Sequence, residues 1–245
     1  MTTTPVGMRC PECSKQATKV MRLRDMAAVP RVTYALIAVN VVAFLTEQGQ
    51  FTLFGSGIHG KVIEEGVLDR FDVSASHEYW RLVSAGFLHE NFLHIGFNMY
   101  LLYVLGQMLE PVMGNVRFAL IYSVSLLAGS FGALLATAAP SLGASGAVFG
   151  LMGAMVVELR ARRLSVMESG IGGLILINLI LSFSIANISV GAHVGGLIGG
   201  ALAGLALRAA GDRFKALGLL ACVAIAAISV AGAIAVAGVS GSGFA

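Results

Sequence analysis

The sequence predicts an all-α membrane protein, a polytopic helical bundle, and three observations carry that prediction. Of its 245 residues 57% are hydrophobic and only 12% are charged, where an average soluble domain carries about 25% charged residues. Its uncharged runs approach or exceed the roughly 20 residues that a helix needs to cross the hydrocarbon core. The strict alternation of a membrane barrel is absent, which leaves helices as the spanning elements.

Seven spans are predicted. The first, Val32 to Thr46, is the weakest, at fifteen uncharged residues. A loop from Gln48 to Glu90 follows; it is too long for a turn and mixes Phe51, Leu53, Phe54, Phe71, Tyr79 and Trp80 with charges. That composition suits a segment lying in the membrane interface, with Trp80 and Arg81 as its anchors. His59 and His77 read as solvated loop residues. The second span is Phe92 to Leu109. Next comes a run of 40 uncharged residues, Phe118 to Val157, which as one helix would extend about 60 Å, twice the core thickness. It therefore holds a third span, Phe118 to Ala138, and a fourth, Ser145 to Val157. Pro140 and Gly143 mark the break between them. The fifth and sixth spans, Ser169 to Ala186 and Ala192 to Leu207, are separated less sharply, by serines, Asn187 and Gly191. The seventh is Ala216 to Val239. Short spans are tolerated where neighbours bury them or the bilayer thins.

Charge placement sets the orientation. With seven spans, the N-terminus and the connections near residues 110–117, 158–168 and 208–215 share one face. That face carries Arg9, Lys15, Lys19, Arg22, Arg24, Arg31, Arg117, Arg160, Arg162, Arg163, Arg208, Arg213 and Lys215, 13 of the 16 basic residues. The other has Lys61, Arg70 and Arg81. The positive-inside rule then puts the N-terminus in the cytoplasm and the C-terminus outside. The first thirty residues are polar and lack an apolar segment, so no cleavable signal peptide is expected and the first span serves for insertion. Cys10 and Cys13 have the spacing of half a zinc knuckle, but a structural zinc site needs about four ligands and no second pair follows. The expectation is a flexible tail, with Cys222 a small apolar filler in the seventh span. No metal, cofactor or nucleic-acid partner is expected.

Polar groups inside spans are costly and point to function. His94 lies near the start of the second span with Asn98 four residues on, Ser145 opens the fourth, and His193 lies near the start of the sixth. Even-numbered spans run from outside to inside, so these groups share one depth. A lone serine usually bonds back to its own helix, but coincidence in depth argues for a shared site. Histidine is the usual base that activates a serine hydroxyl near neutral pH, which pairs Ser145 with His193. An oxyanion formed by attack on a carbonyl needs preorganised donors; Asn98, His94 and the Ser145 backbone N–H at a helix N-terminus supply them. The spans contain no aspartate, and Glu110 belongs at the opposite end of its helix. A Ser-His dyad is therefore expected, its imidazole held by packing or a backbone group. Phe149, one turn from Ser145, is placed to stack on the base. Gly146 and Gly150 on the fourth span, and Gly196, Gly200 and Gly204 on the sixth, form small-xxx-small ridges that let the two helices approach.

Taken together, these segments resemble the rhomboid family of intramembrane serine proteases, from about Glu78 to Gly204. "GASG", Gly143 to Gly146, is similar to the family's nucleophile motif, and "AHVGGLIGG" to its alanine-histidine motif; these imply catalytic Ser145 and His193. "HENFLHIGFNM" resembles the second-helix pattern at His89, His94 and Asn98, the last two implied to support the oxyanion. "YWR", with Trp80 and Arg81, is similar to the pair in the first outer loop, and "EPVMG" to the structural motif of Glu110 and Gly114. The resemblance implies a rhomboid-like six-helix catalytic core, 32–208, after a cytoplasmic tail, 1–31, with outer loop 48–90 and a connection and seventh helix over 209–245. It also implies an endopeptidase that takes transmembrane proteins laterally from the bilayer; the cell membrane is the expected location, and the fifth span with the segment from Ser184 to Gly191 is the expected gate. Two rivals stand beside it. One is a catalytically silent rhomboid-like client binder, which is expected to lack the serine or histidine. The other is a transporter or channel, which predicts polar groups spread through the membrane depth.

Overall fold

The computed structural model describes residues 2–4, 7–9, 29–46, 61–137, 139–184, 188–211 and 214–241. Cys10, Cys13, Lys15, Lys19, Arg22, Arg24, Phe51, Leu53, Phe54, His59, Asn187 and Arg213 lie outside the described residues. Within the tail, β1 (Thr2–Thr4) and β2 (Gly7–Arg9) pair antiparallel, Thr2 opposite Arg9. That small hairpin departs from the unstructured tail expected.

Everything else that is regular is helical. The first span is α1 (Arg31–Thr46). The outer loop contains three short helices, α2 (Lys61–Gly66), α3 (Arg70–Ser74) and α4 (Arg81–Ser84), and a 3-10 turn over Ala85–Phe87. The remaining spans are α5 (Phe92–Met113), α6 (Asn115–Ala136), α7 (Ser145–Ala161), α8 (Ile171–Ser184), α9 (Val190–Ala210) and α10 (Lys215–Gly241). Among the described residues, four helices (α5, α6, α9 and α10) are long and apolar enough to cross a membrane; α1 and α8 are apolar but shorter. The helix α7 runs past Val157 to Ala161, and Glu158 and Arg162, one turn apart, pair at 2.5 Å at its C-terminal end.

Helix α9 is the centre of the bundle, seated between α6 and α7, with α10 outside α6. Glycines make that position possible. A Cβ at Gly196 would stand 1.9 Å from the Gly146 carbonyl oxygen, and one at Gly200 would stand 2.0 Å from that of Gly150. The expected ridges thus meet backbone to backbone across α7 and α9. A second seam joins α9 to α6, where a Cβ at Gly195 would stand 2.4 Å from the Ala128 carbonyl oxygen. The face of α10 away from the bundle presents Leu217, Leu220, Val223 and Ile228, as a lipid-facing surface requires, while Cys222 is buried as the small apolar filler expected.

At the C-terminal end of α5, Glu110 is 1% exposed. Its two carboxylate oxygens accept the N–H groups of Val32 and Thr33 at 2.8 Å, and the Thr33 hydroxyl at 2.7 Å. A carboxylate here satisfies first-turn amides of α1 and complements its dipole. The connection expected over 110–117 shrinks to Gly114 alone, whose φ of +83° joins α5 to α6. Pro111 is accommodated in the last turn of α5, where losing one helical bond costs least.

At the opposite end of the bundle the loop before α5 is pinned by Arg81. This guanidinium pairs with Glu78 at 2.6 Å and Asp72 at 3.2 Å and donates to the carbonyls of Glu64 and Val67, both at 2.8 Å. The residue is 5% exposed, which corrects the expectation that it anchors the loop in the interface: it ties the loop to itself, because its two carboxylate and two carbonyl partners lie within the loop. Trp80, by contrast, is 58% exposed. The segment after α6 joins the same loop through paired backbone bonds between Leu68 and Ser141 and through the Gly143 N–H to the Ala85 carbonyl, 2.8 Å.

Candidate active site

That last bond sets the start of α7. Gly143 holds φ at +121°, a backbone state open to glycine at little cost. A Cβ there would meet His94 Nε2 at 2.6 Å, so this position admits only a hydrogen if the His94 ring is to lie beside the chain entering α7. Ser145 is then the first helical residue after Ala144, and its N–H is among those without a carbonyl partner inside the helix.

His193 sits in the first turn of α9, whose N-terminus is capped by the Ser189 hydroxyl accepting from the Ala192 N–H at 3.2 Å. Its Nε2 lies 2.7 Å from Ser145 Oγ. The Phe149 ring stacks on the imidazole with centroids 4.2 Å apart and planes 14° from parallel. Asn91 caps α5 by accepting the His94 N–H at 2.9 Å, and Asn98 Nδ2 donates to the His94 carbonyl at 3.0 Å. One of the two N–H groups of Asn98 is thereby engaged. His89 is 0% exposed and packs edge-on against His94, centroids 5.1 Å apart. Burial, with His94 adding to it, pushes the His89 pKa down to about 3.

Ser145, His193 and Phe149 are thus in contact, and His94 lies against Gly143 beside them; Asn98 is one turn further along α5. Glu110, Gly114, Trp80 and Arg81 lie away from this cluster, in the inner turn and the outer loop. One contact escaped sequence reasoning. Ser182 Oγ on α8 is 2.6 Å from His193 Nδ1, whereas the sequence looks to packing or a backbone group to hold the base. The available signal was its four-residue spacing from Asn178 within an otherwise apolar helix.

A serine hydroxyl bonded to a stacked imidazole, between helices joined by glycine seams, is the arrangement of a nucleophile and its base. The family model of the Rhomboid domain matches residues 76–210, more than half of the chain. The chain belongs to the rhomboid family. Among its rhomboid relatives, the Rhomboid protease GluP of Bacillus subtilis is 34% identical over 206 residues, covering 82% of this chain and 39% of that protein. The Putative rhomboid protease YdcA of the same organism is 30% identical, covering 71% of this chain and 86% of YdcA. The Inactive RHOMBOID-like protein 8 of Arabidopsis thaliana is 34% identical over 106 residues, 43% of this chain and 30% of that protein. This rhomboid chain therefore spans well under half the length of GluP. Membership makes it a polytopic helical membrane protein of an intramembrane protease family.

Proposed function

We propose that this rhomboid is an active serine endopeptidase that hydrolyses peptide bonds in or beside the transmembrane segments of other membrane proteins. The observation that carries the proposal is the 2.7 Å separation of Ser145 Oγ and His193 Nε2. As Ser145 Oγ attacks the scissile carbonyl carbon, its proton passes to Nε2 and the carbonyl oxygen becomes an oxyanion. The Ser145 N–H, the His94 ring and the second N–H of Asn98 are the donors proposed to receive it. Collapse breaks the C–N bond, the imidazolium gives its proton to the leaving amine, and an acyl-Ser145 ester remains. Water, deprotonated by the same Nε2, then releases the carboxylate and restores the serine. No carboxylate is required in the spans, because Phe149 already sets the plane of the imidazole.

The site belongs toward the outer face of the cell membrane, with the N-terminus in the cytoplasm. The silent client-binding alternative finds support in the existence of an inactive relative, but this chain keeps the serine and histidine in hydrogen-bonding contact. A transporter or channel is disfavoured because the chain belongs to a family whose relatives include named proteases.

The test is labelling of the purified full chain in detergent with a fluorophosphonate probe. Labelling is expected for the unaltered chain and is lost in Ser145→Ala and in His193→Ala. Undiminished labelling of Ser145→Ala would show that the nucleophile lies elsewhere.

A further inference from the structure

The Ser182 hydroxyl has two neighbours at 2.6 Å: His193 Nδ1 and the main-chain carbonyl of Asn178, one turn earlier in α8. A carbonyl can only accept, so the single hydroxyl hydrogen points at Asn178. Toward His193 the oxygen is then an acceptor. Nδ1 must carry the ring proton, and Nε2 is left with its lone pair facing Ser145 Oγ at 2.7 Å. We propose that Ser182 is a positioning residue that holds His193 in the Nδ1–H tautomer, the form in which Nε2 can take the serine proton. The proposal rests on the Ser145–His193 reading above and extends it to the other side of the ring.

Two features make a serine suited to this place. A neutral hydroxyl is far cheaper to bury in a membrane helix than the carboxylate that soluble serine hydrolases use for the same purpose. It also keeps its acceptor turned to Nδ1–H after Nε2 has been protonated, so nothing need reorganise when the imidazolium forms. Phe149 fixes the plane of the ring and Ser182 its rotation within that plane. The helix that carries Ser182 is otherwise held lightly: Leu176, Ile177, Ile180, Leu181 and Phe183 are exposed, and over 177–183 Ser182 alone is buried among the described side chains. A displacement of α8 would therefore remove the acceptor from the base while leaving the α7–α9 seam intact.

The experiment measures two quantities on the full chain in detergent. One is the inactivation by a fluorophosphonate probe, resolved into its limiting rate and its half-saturating concentration; the other is the 15N spectrum of the histidine rings, with His193 assigned from a His193→Gln sample. For Ser182→Ala the limiting rate is expected to fall roughly 3- to 10-fold, the range one neutral hydrogen bond supports, with the half-saturating concentration unchanged. The His193 signals should shift from the Nδ1–H form toward the Nε2–H form. Ser182→Thr, whose hydroxyl can bond back to the Asn178 carbonyl in the same way, should restore both. An unchanged rate and an unchanged tautomer in Ser182→Ala overturn the proposal. A slower rate with an unchanged tautomer also overturns it, leaving Ser182 a packing residue. Failure of the underlying reading looks different: the unaltered chain is then not labelled at all, or Ser145→Ala is still labelled.

Discussion

Buried polar side chains divide here by the company they keep. Glu110 and Arg81 are charged and saturated with partners, and each fastens one end of the fold. His89 is different: it is kept neutral by burial beside a second histidine, with its pKa pushed down to about 3 from the ordinary 6.5. Below pH 6.5 the unfolded chain takes up a proton at this position and the native chain does not, so stability falls as the medium is acidified. Neighbouring Glu90 works the other way, since burial raises its pKa from 4.5, so the native state gains a proton first as pH drops toward that range. Between pH 7.5 and pH 5 the His89 contribution is destabilising, and its cost reaches about 2 kcal/mol at pH 5 by linkage. The apparent melting temperature in detergent should decline over that interval, and His89→Gln should flatten the decline. Equal acid sensitivity in the two proteins would show that His89 is not the group responsible. Of these residues, the sequence placed Glu110 at the far end of its helix from Ser145, His94 and His193. It misplaced Arg81, because no pattern of residue types tells whether an arginine meets water, lipid or its own loop. Ser182 escaped for a related reason. A serine in an apolar helix usually bonds back to the preceding turn, and Ser182 does so; its second contact depends on the rotation and crossing of α8 against α9.

At the scale of elements, the glycine seams couple packing to the site. The spacing of Gly146, Gly150, Gly196 and Gly200 was readable as a close helix pair, and the carbonyls of α7 stand where a Cβ on α9 would have to go. Less readable was the partnership of α9 with α6 through Gly195 and Ala128, since several faces of α9 are rich in small residues and sequence does not rank them. Helix ends also moved. The turn around Gly114 became one residue, whose positive φ passes the chain directly from α5 into α6. Methyl groups offer a direct test. Gly196→Ala must push α7 and α9 apart, an overpacking that costs on the order of 1–3 kcal/mol, and the Ser145–His193 bond spans that same pair of helices. Fluorophosphonate labelling should drop more than tenfold while the protein remains folded by circular dichroism. A methyl at Gly238 meets nothing within 4 Å, so Gly238→Ala should label normally. Equal labelling of the two variants would mean that the seam does not set the dyad.

For the whole molecule, the charges and the fold constrain each other. Arg162 and Arg208, on two different connections, both pair with Glu158, at 2.5 and 3.0 Å, and Arg117 donates to the Gly211 carbonyl at 3.3 Å. The basic connections assigned to one face from sequence thus converge at one end of the bundle, and the Arg81 network lies in the loop that packs over the other. The helical membrane class was legible because it depends on sums over many residues, where single errors cancel, and the family because several motifs coincided in order along the chain. The positive-inside rule predicts that the end with Arg117, Arg162 and Arg208 faces the cytoplasm. In a chain with Cys10 and Cys13 replaced by serine and Cys222 by alanine, a cysteine at the exposed loop position Ser76 should react with a membrane-impermeant maleimide on intact cells. One at Glu168, between α7 and α8, should react only after lysis. The reverse pattern would invert the proposed orientation and move Ser145 and His193 to the cytoplasmic side, where they would meet a different set of transmembrane substrates.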